Sequence, residues 1–126
     1  MLIFCHVDKN IDDELLDAAY KLSLDERRSK ADKLINPQKK EISLAAGMLE
    51  RLMQEKYKYK FQNLSHSDEY AVCIGEDRLC GVDIQKICNV SENLKKRVCT
   101  PKELEAIENA PNPDLRFIQY WALKEA

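Results

Sequence analysis

Pro37-Gln38-Lys39-Lys40-Glu41-Ile42-Ser43-Leu44-Ala45-Ala46-Gly47-Met48-Leu49-Glu50-Arg51-Leu52-Met53-Gln54-Glu55 is followed almost at once by Tyr57-Lys58-Tyr59-Lys60-Phe61. In the first stretch Ile42, Ala45, Ala46, Leu49, Leu52 and Met53 recur at helical spacing, which predicts a helix over 37–55 with this stripe in the core. In the second, aromatic and basic residues alternate with a period of two, which predicts a half-exposed strand. Gly47 costs the helix about 1 kcal/mol against alanine, so it points to close packing by a neighbour or a ligand. Asn36-Pro37 marks the start, because proline suits the first helical turn and disfavours helix in the residue before it.

Upstream of this stretch, residues 2–7 read as an opening strand. Asn10 is placed to cap a helix ending near Leu22, with Leu15, Leu16, Ala19 and Leu22 as its apolar face. Ser23 and Glu26 have capping-box spacing for another helix through Lys33 and Leu34. Downstream, residues 70–74 and 79–87 read as strands, with Gly75-Glu76-Asp77-Arg78 as the turn between them. Ser91 can cap a short helix, and Thr100-Pro101-Lys102-Glu103 combines a capping box with a proline in the first turn. Asn112-Pro113 opens the last helix, where Leu115, Ile118 and Leu123 are core candidates and Phe117, Tyr120 and Trp121 add bulk. The order of strand, helices, strands and helices predicts an α+β fold, not a doubly wound one.

A chain of 126 residues suits one domain with a modest core. With 44% apolar and 33% charged residues it has a soluble globular composition, not a disordered one. A net charge of −2 excludes a strongly basic nucleic-acid binder, and no apolar run is long enough to span a membrane. Residues 1–5 lack the basic leader of a signal peptide, so the expected location is the cytoplasm. Cys5, Cys73, Cys80, Cys88 and Cys99 contain no C-x-x-C pair and are expected to be free, mostly buried thiols. Arg27, Arg28, Lys30, Lys33, Lys39 and Lys40 form a basic stretch that fits either a solvated helix face or an anion site.

Two motifs carry the chemistry. In Gly81-Val82-Asp83-Ile84-Gln85, strand geometry puts Asp83 and Gln85 on one side and Val82 and Ile84 on the other. Gly81 removes a side chain just before the carboxylate, which lets a ligand approach the backbone. In Trp121-Ala122-Leu123-Lys124-Glu125-Ala126, helical spacing puts Trp121 with Glu125 and Tyr120 with Lys124. Singly, each acidic residue is an ordinary surface charge. Two carboxylates and an ammonium nevertheless suit a pyrophosphate bound to magnesium, an ion that prefers a few carboxylates plus phosphate oxygens and waters.

Preceded by Asn63-Leu64-Ser65-His66-Ser67, and in this order, the motifs resemble the 4′-phosphopantetheinyl transferases, specifically the two-lobed Sfp-like branch. Arg97-Val98-x-Thr100-x-x-Glu103 extends the resemblance. It implies a lobe of antiparallel sheet packed with helices over 1–80, and the start of a second, pseudo-twofold-related lobe over 81–126. The implied reaction moves the 4′-phosphopantetheine arm of coenzyme A onto a serine of an acyl or peptidyl carrier protein, releasing adenosine 3′,5′-bisphosphate.

By the same resemblance, Asp83 and Glu125 hold Mg2+, with Gln85 as a weaker third position. Lys124 balances phosphate charge, and Glu125 or a metal-bound water takes the serine proton. Ser65 and His66 hold phosphate oxygens of coenzyme A. Arg27, Arg28 or Lys30 approaches its 3′-phosphate, arginine being favoured by its two-pronged donor geometry. Gln85 stands where many relatives have glutamate, and no arginine stands near Ser43, where relatives often place one. Relatives continue beyond the K-E-A motif, so the resemblance implies a chain cut within its second lobe, or one that completes its cleft by dimerising. The alternative reading is a non-catalytic chain that binds coenzyme A or a partner protein.

Overall fold

The computed structural model describes residues 1–8 and 11–126. In chain order its elements are β1 (Leu2–His6), α1 (Asp13–Leu22), α2 (Asp25–Asp32), α3 (Pro37–Leu52), a π turn (Met53–Tyr57), β2 (Phe61–Ser67), β3 (Tyr70–Glu76), α4 (Glu92–Val98), α5 (Pro101–Glu108) and α6 (Pro113–Glu125). The fold is α+β, with an antiparallel sheet packed against helices. The chain separates into two compact units, Met1–Ile84 and Gln85–Ala126.

In the first unit the described strands run in the order β1-β3-β2, so β3 is central. Its register pairs Ile3 and Leu64 with Cys73, and Cys5 and His66 with Ala71. Residues paired at one level share a face, so Ile3, Cys5, Leu64, Ala71 and Cys73 point one way, and Phe4, Val72 and Ser65 point the other. The first of these faces packs on α3. Val7, Ile42, Ala46, Leu49, Met53, Ala71 and Cys73 form its buried core, with Ala45 packed against them. Leu52, expected in the same stripe, is 41% exposed. At 3.6 residues per turn it lies roughly 90° from the line through Ile42, Ala46, Leu49 and Met53, on the flank of the helix.

The other side of α3 packs Leu44 against Ala19 of α1 and Ala31 of α2. Gly47 makes this approach possible. A Cβ built on it would lie 2.7 Å from Cγ of Arg27 and 3.0 Å from Oγ of Ser23. The close packing expected of Gly47 is therefore with a neighbouring helix. Burial also overturns the expected cap at Ser23. Its hydroxyl donates to the Ala19 carbonyl at 2.8 Å and closes α1, while Leu24 precedes α2 without a side-chain cap. Asn10 lies outside the described residues; α1 is capped by Asp12, whose Oδ1 accepts the Glu14 N–H at 2.6 Å. At α3, Asn36 accepts the Lys39 N–H at 3.2 Å, as its sequence context implies.

Three further expectations are corrected. Tyr57 does not begin a strand: the chain coils onward from α3 as a π turn, and Lys58 ends it in the left-handed region at φ 56°. Tyr57 and Tyr59 still pack on the core, so the alternation reflected burial and not conformation. The hairpin turn is Asp68-Glu69, not 75–78. Asp68 sits at φ 55°, a conformation aspartate tolerates better than most residues. Gly75 instead lies inside β3, where an added Cβ would be 2.6 Å from Sδ of Met53. Finally, residues 79–90 form no strand.

The second unit packs α4, α5 and α6 around Val90, Cys99, Ile107, Phe117 and Ile118, with Trp121 and Tyr120 half-buried against them. Its caps follow the sequence: Ser91, the Thr100–Glu103 capping box, and Asn112. Leu123, a core candidate, is 77% exposed. It lies five positions beyond Ile118, roughly 140° around the helix. All five cysteines are free, Cys73 and Cys99 buried and Cys88 exposed. Among the described residues no helix is long and apolar enough to cross a membrane.

Candidate functional site

Residues 80–84 explain their own misleading appearance. They run beside β2 in the same direction, in steps of two, held mainly by side chains. The Cys80 thiol points to the Phe61 carbonyl at 3.8 Å, and the Val82 N–H donates to Oδ1 of Asn63 at 2.9 Å. The Ile84 N–H donates to Oγ of Ser65 at 3.3 Å. Asn63 and Ser65 project from the sheet face turned away from α3, because they are level with Ile74 and Val72. Alternating side chains of β2 thus stand in for a backbone ladder.

The same clamp holds the first candidate carboxylate. Oγ of Ser65 donates to Oδ1 of Asp83 at 2.5 Å. The other oxygen, Oδ2, is buried and makes no hydrogen bond among the described residues. A buried carboxylate oxygen without a partner is costly, and a cation beside it removes that cost. Asp83 therefore fits a metal ligand on its own surroundings.

Ser65 and His66 are adjacent in sequence but lie on opposite faces of β2. His66 lines a cavity of about 420 Å³ with Asn36, Gln38 and Lys39 at the start of α3, and with Ser67 and Asp68 at the hairpin. Partial desolvation on its cavity side holds the otherwise exposed imidazole below the usual histidine pKa, and the Arg27 guanidinium depresses it further. At neutral pH the ring is uncharged and offers one N–H donor.

The three basic candidates of α2 differ in their partners. Arg27 is half-buried and pairs with Glu50 at 3.3 Å, across to α3. Arg28 pairs with Asp25 in its own helix and lies over the Tyr20 ring at 6.0 Å. Lys30 pairs with Glu26, also within α2, at 2.7 Å. Arg27 is the one coupled to His66. Ser43, where relatives often carry arginine, is buried on α3.

In the second unit Gln85 is exposed, and Lys124 and Glu125 end α6, both exposed. Nζ of Lys124 donates to the Val98 carbonyl at 3.1 Å and to Oε2 of Glu103 at 2.9 Å. Glu103 is held below the usual carboxylate pKa, first by the Thr100 backbone N–H and then by Lys124. Within neither unit do the described residues gather three or more His, Cys, Asp or Glu side chains into a metal cluster. The structure brings together Ser65 with Asp83, Arg27 with Glu50, and Lys124 with Glu103. It separates Ser65 from His66.

Asn63 is a residue whose place at the site sequence reasoning missed, whereas Lys39, named in the basic stretch, lines the His66 cavity. Asn63 stood inside the quoted Asn63–Ser67 stretch, and its two-residue spacing from Ser65 was the available signal. No curated protein matches the chain at a significant level. Residues 79–126, which include Asp83, Gln85, Lys124 and Glu125, match the family model of the 4′-phosphopantetheinyl transferase superfamily.

Proposed function

We propose that the chain works as a magnesium-dependent 4′-phosphopantetheinyl transferase, moving the phosphopantetheine arm of coenzyme A onto a carrier-protein serine. The observation that carries this reading is the buried, unpartnered Oδ2 of Asp83, at one end of the segment that matches the superfamily. Asp83 would be a carboxylate ligand of the ion; Glu125 and, more weakly, Gln85 are added by the resemblance. Magnesium, when bound, neutralises charge on the pyrophosphate. His66 would donate its N–H to a phosphate oxygen, with Arg27 as the arginine that approaches the 3′-phosphate. Lys124 would balance phosphate charge, and Glu125 would receive the proton of the attacking serine. The two units, divided near residue 84, would correspond to a first lobe and the start of a second.

The test is incubation with coenzyme A, Mg2+ and a panel of apo carrier proteins from fatty-acid, polyketide, nonribosomal-peptide and lysine pathways. Mass spectrometry should show a phosphopantetheine adduct on a carrier serine, and its absence from the whole panel would sink the proposal. The Lys124 ammonium, which already donates to Glu103 and Val98, favours a second reading. In that reading the chain binds coenzyme A without transfer. Calorimetric binding of coenzyme A that is independent of Mg2+, without adduct formation, would select it.

A further inference from the structure

We infer that Ser65 is a positioning residue for Asp83. This rests on the proposed role of Asp83 as a metal ligand. A serine hydroxyl has one proton to donate and lone pairs with which to accept. The Ser65 proton goes to Oδ1 of Asp83, and a lone pair of its oxygen takes the Ile84 N–H.

The geometry gives the bond a purpose. It occupies one oxygen of Asp83 and leaves Oδ2 as the buried oxygen without a protein partner. Ile84 N–H, one residue further on, is held by the same atom, and Val82 N–H is held by Asn63. The backbone on both sides of Asp83 and its side chain are therefore anchored by two residues of β2. Groups that orient metal-binding carboxylates in this way typically change metal affinity by 10–100-fold when removed. His66 lies on the opposite face of β2 and takes no part in this anchoring.

The experiment uses the whole chain and Mn2+ as the probe ion, with direct Mn2+ titration by electron paramagnetic resonance. Ser65→Ala should weaken Mn2+ binding by about tenfold or more. Ser65→Thr, which keeps the hydroxyl and suits a strand, should restore Mn2+ binding. Parent-like Mn2+ binding by Ser65→Ala would overturn the assignment. Asp83→Asn separates the two levels. If it lowers Mn2+ affinity while Ser65→Ala does not, the positioning role alone falls. If it binds Mn2+ as the parent does, the metal reading falls and takes the positioning role with it.

Discussion

Nζ of Lys124 lies 2.9 Å from Oε2 of Glu103, and the same oxygen accepts the Thr100 N–H at 2.7 Å. One carboxylate thus caps α5 and tethers the last turn of α6. Its folded pKa is depressed, so its contribution to stability is present above the unfolded pKa and is lost as pH falls through the folded value. The window opens below about pH 4.5, the unperturbed glutamate value. Trp121, the only tryptophan, packs in the same unit and reports on its unfolding. Tryptophan fluorescence melts should show stability falling with acid in this window, and Glu103→Gln should flatten that dependence.

Thr100→Ala removes the hydroxyl half of the same capping box. Loss of such a cap costs about 1 kcal/mol. Urea unfolding followed at Trp121 should shift its midpoint downward by the corresponding amount. An unchanged midpoint would mean that the cap contributes nothing to the second unit.

Arg27 is the second cause of the depressed His66 pKa, after partial desolvation. Arg27→Gln should therefore raise that pKa, but only part of the way to the ordinary value, in an NMR titration of the ring. Arg28→Gln, whose guanidinium pairs within α2, should leave it unmoved. Under the proposed function Arg27→Gln should also weaken coenzyme A binding, and Arg28→Gln should do so less.

Gly47→Ala puts a methyl group 2.7 Å from Cγ of Arg27. Helix propensity favours the change, but overpacking of this kind costs about 1–3 kcal/mol. The expected outcome is net destabilisation of the first unit by thermal melt, together with an altered His66 titration as Arg27 is displaced.

Burial pushes the Cys73 thiol up to about 11, with Glu50 adding to the effect. At pH 8 about one molecule in a thousand would carry the thiolate there. Brief iodoacetamide treatment of the native chain should modify exposed Cys88 and spare Cys73. Denaturant should abolish the difference.

Asp83→Asn keeps the shape of the side chain and removes its charge. If the proposed function holds, transfer should fall at least 100-fold with the circular dichroism spectrum retained. Parent-like turnover would remove Asp83 from the site.

What could be read from the sequence was local. The Asn36-Pro37, Thr100-Pro101 and Asn112-Pro113 starts each depend on residues within one helical turn, and each is present. The Ile42-to-Met53 stripe is fixed by helical geometry and lost only Leu52, at its flank. Ser23 failed as a cap because burial against Gly47, 24 positions along the chain, turned its hydroxyl back to Ala19. Residues 79–87 failed as a strand because the N–H groups of Val82 and Ile84 go to side chains 19 positions earlier, which no periodicity reveals. At the site, Asp83, Ser65 and His66 stood out as residue types in motifs. That Ser65 faces Asp83 while His66 faces α3 required the register of β2.

The side-chain clamp on 80–84 has a consequence for how this part of the chain is held. Its amides at Val82 and Ile84 are held by Asn63 and Ser65, whereas those of β2 and β3 are held in a backbone ladder. Release of these two amides would therefore break no bond of the sheet itself. Substitutions at two positions on β2 could also shift the aim of its carboxylate while leaving the sheet's own hydrogen bonds intact. Asp83 is hung from the scaffold, not woven into it.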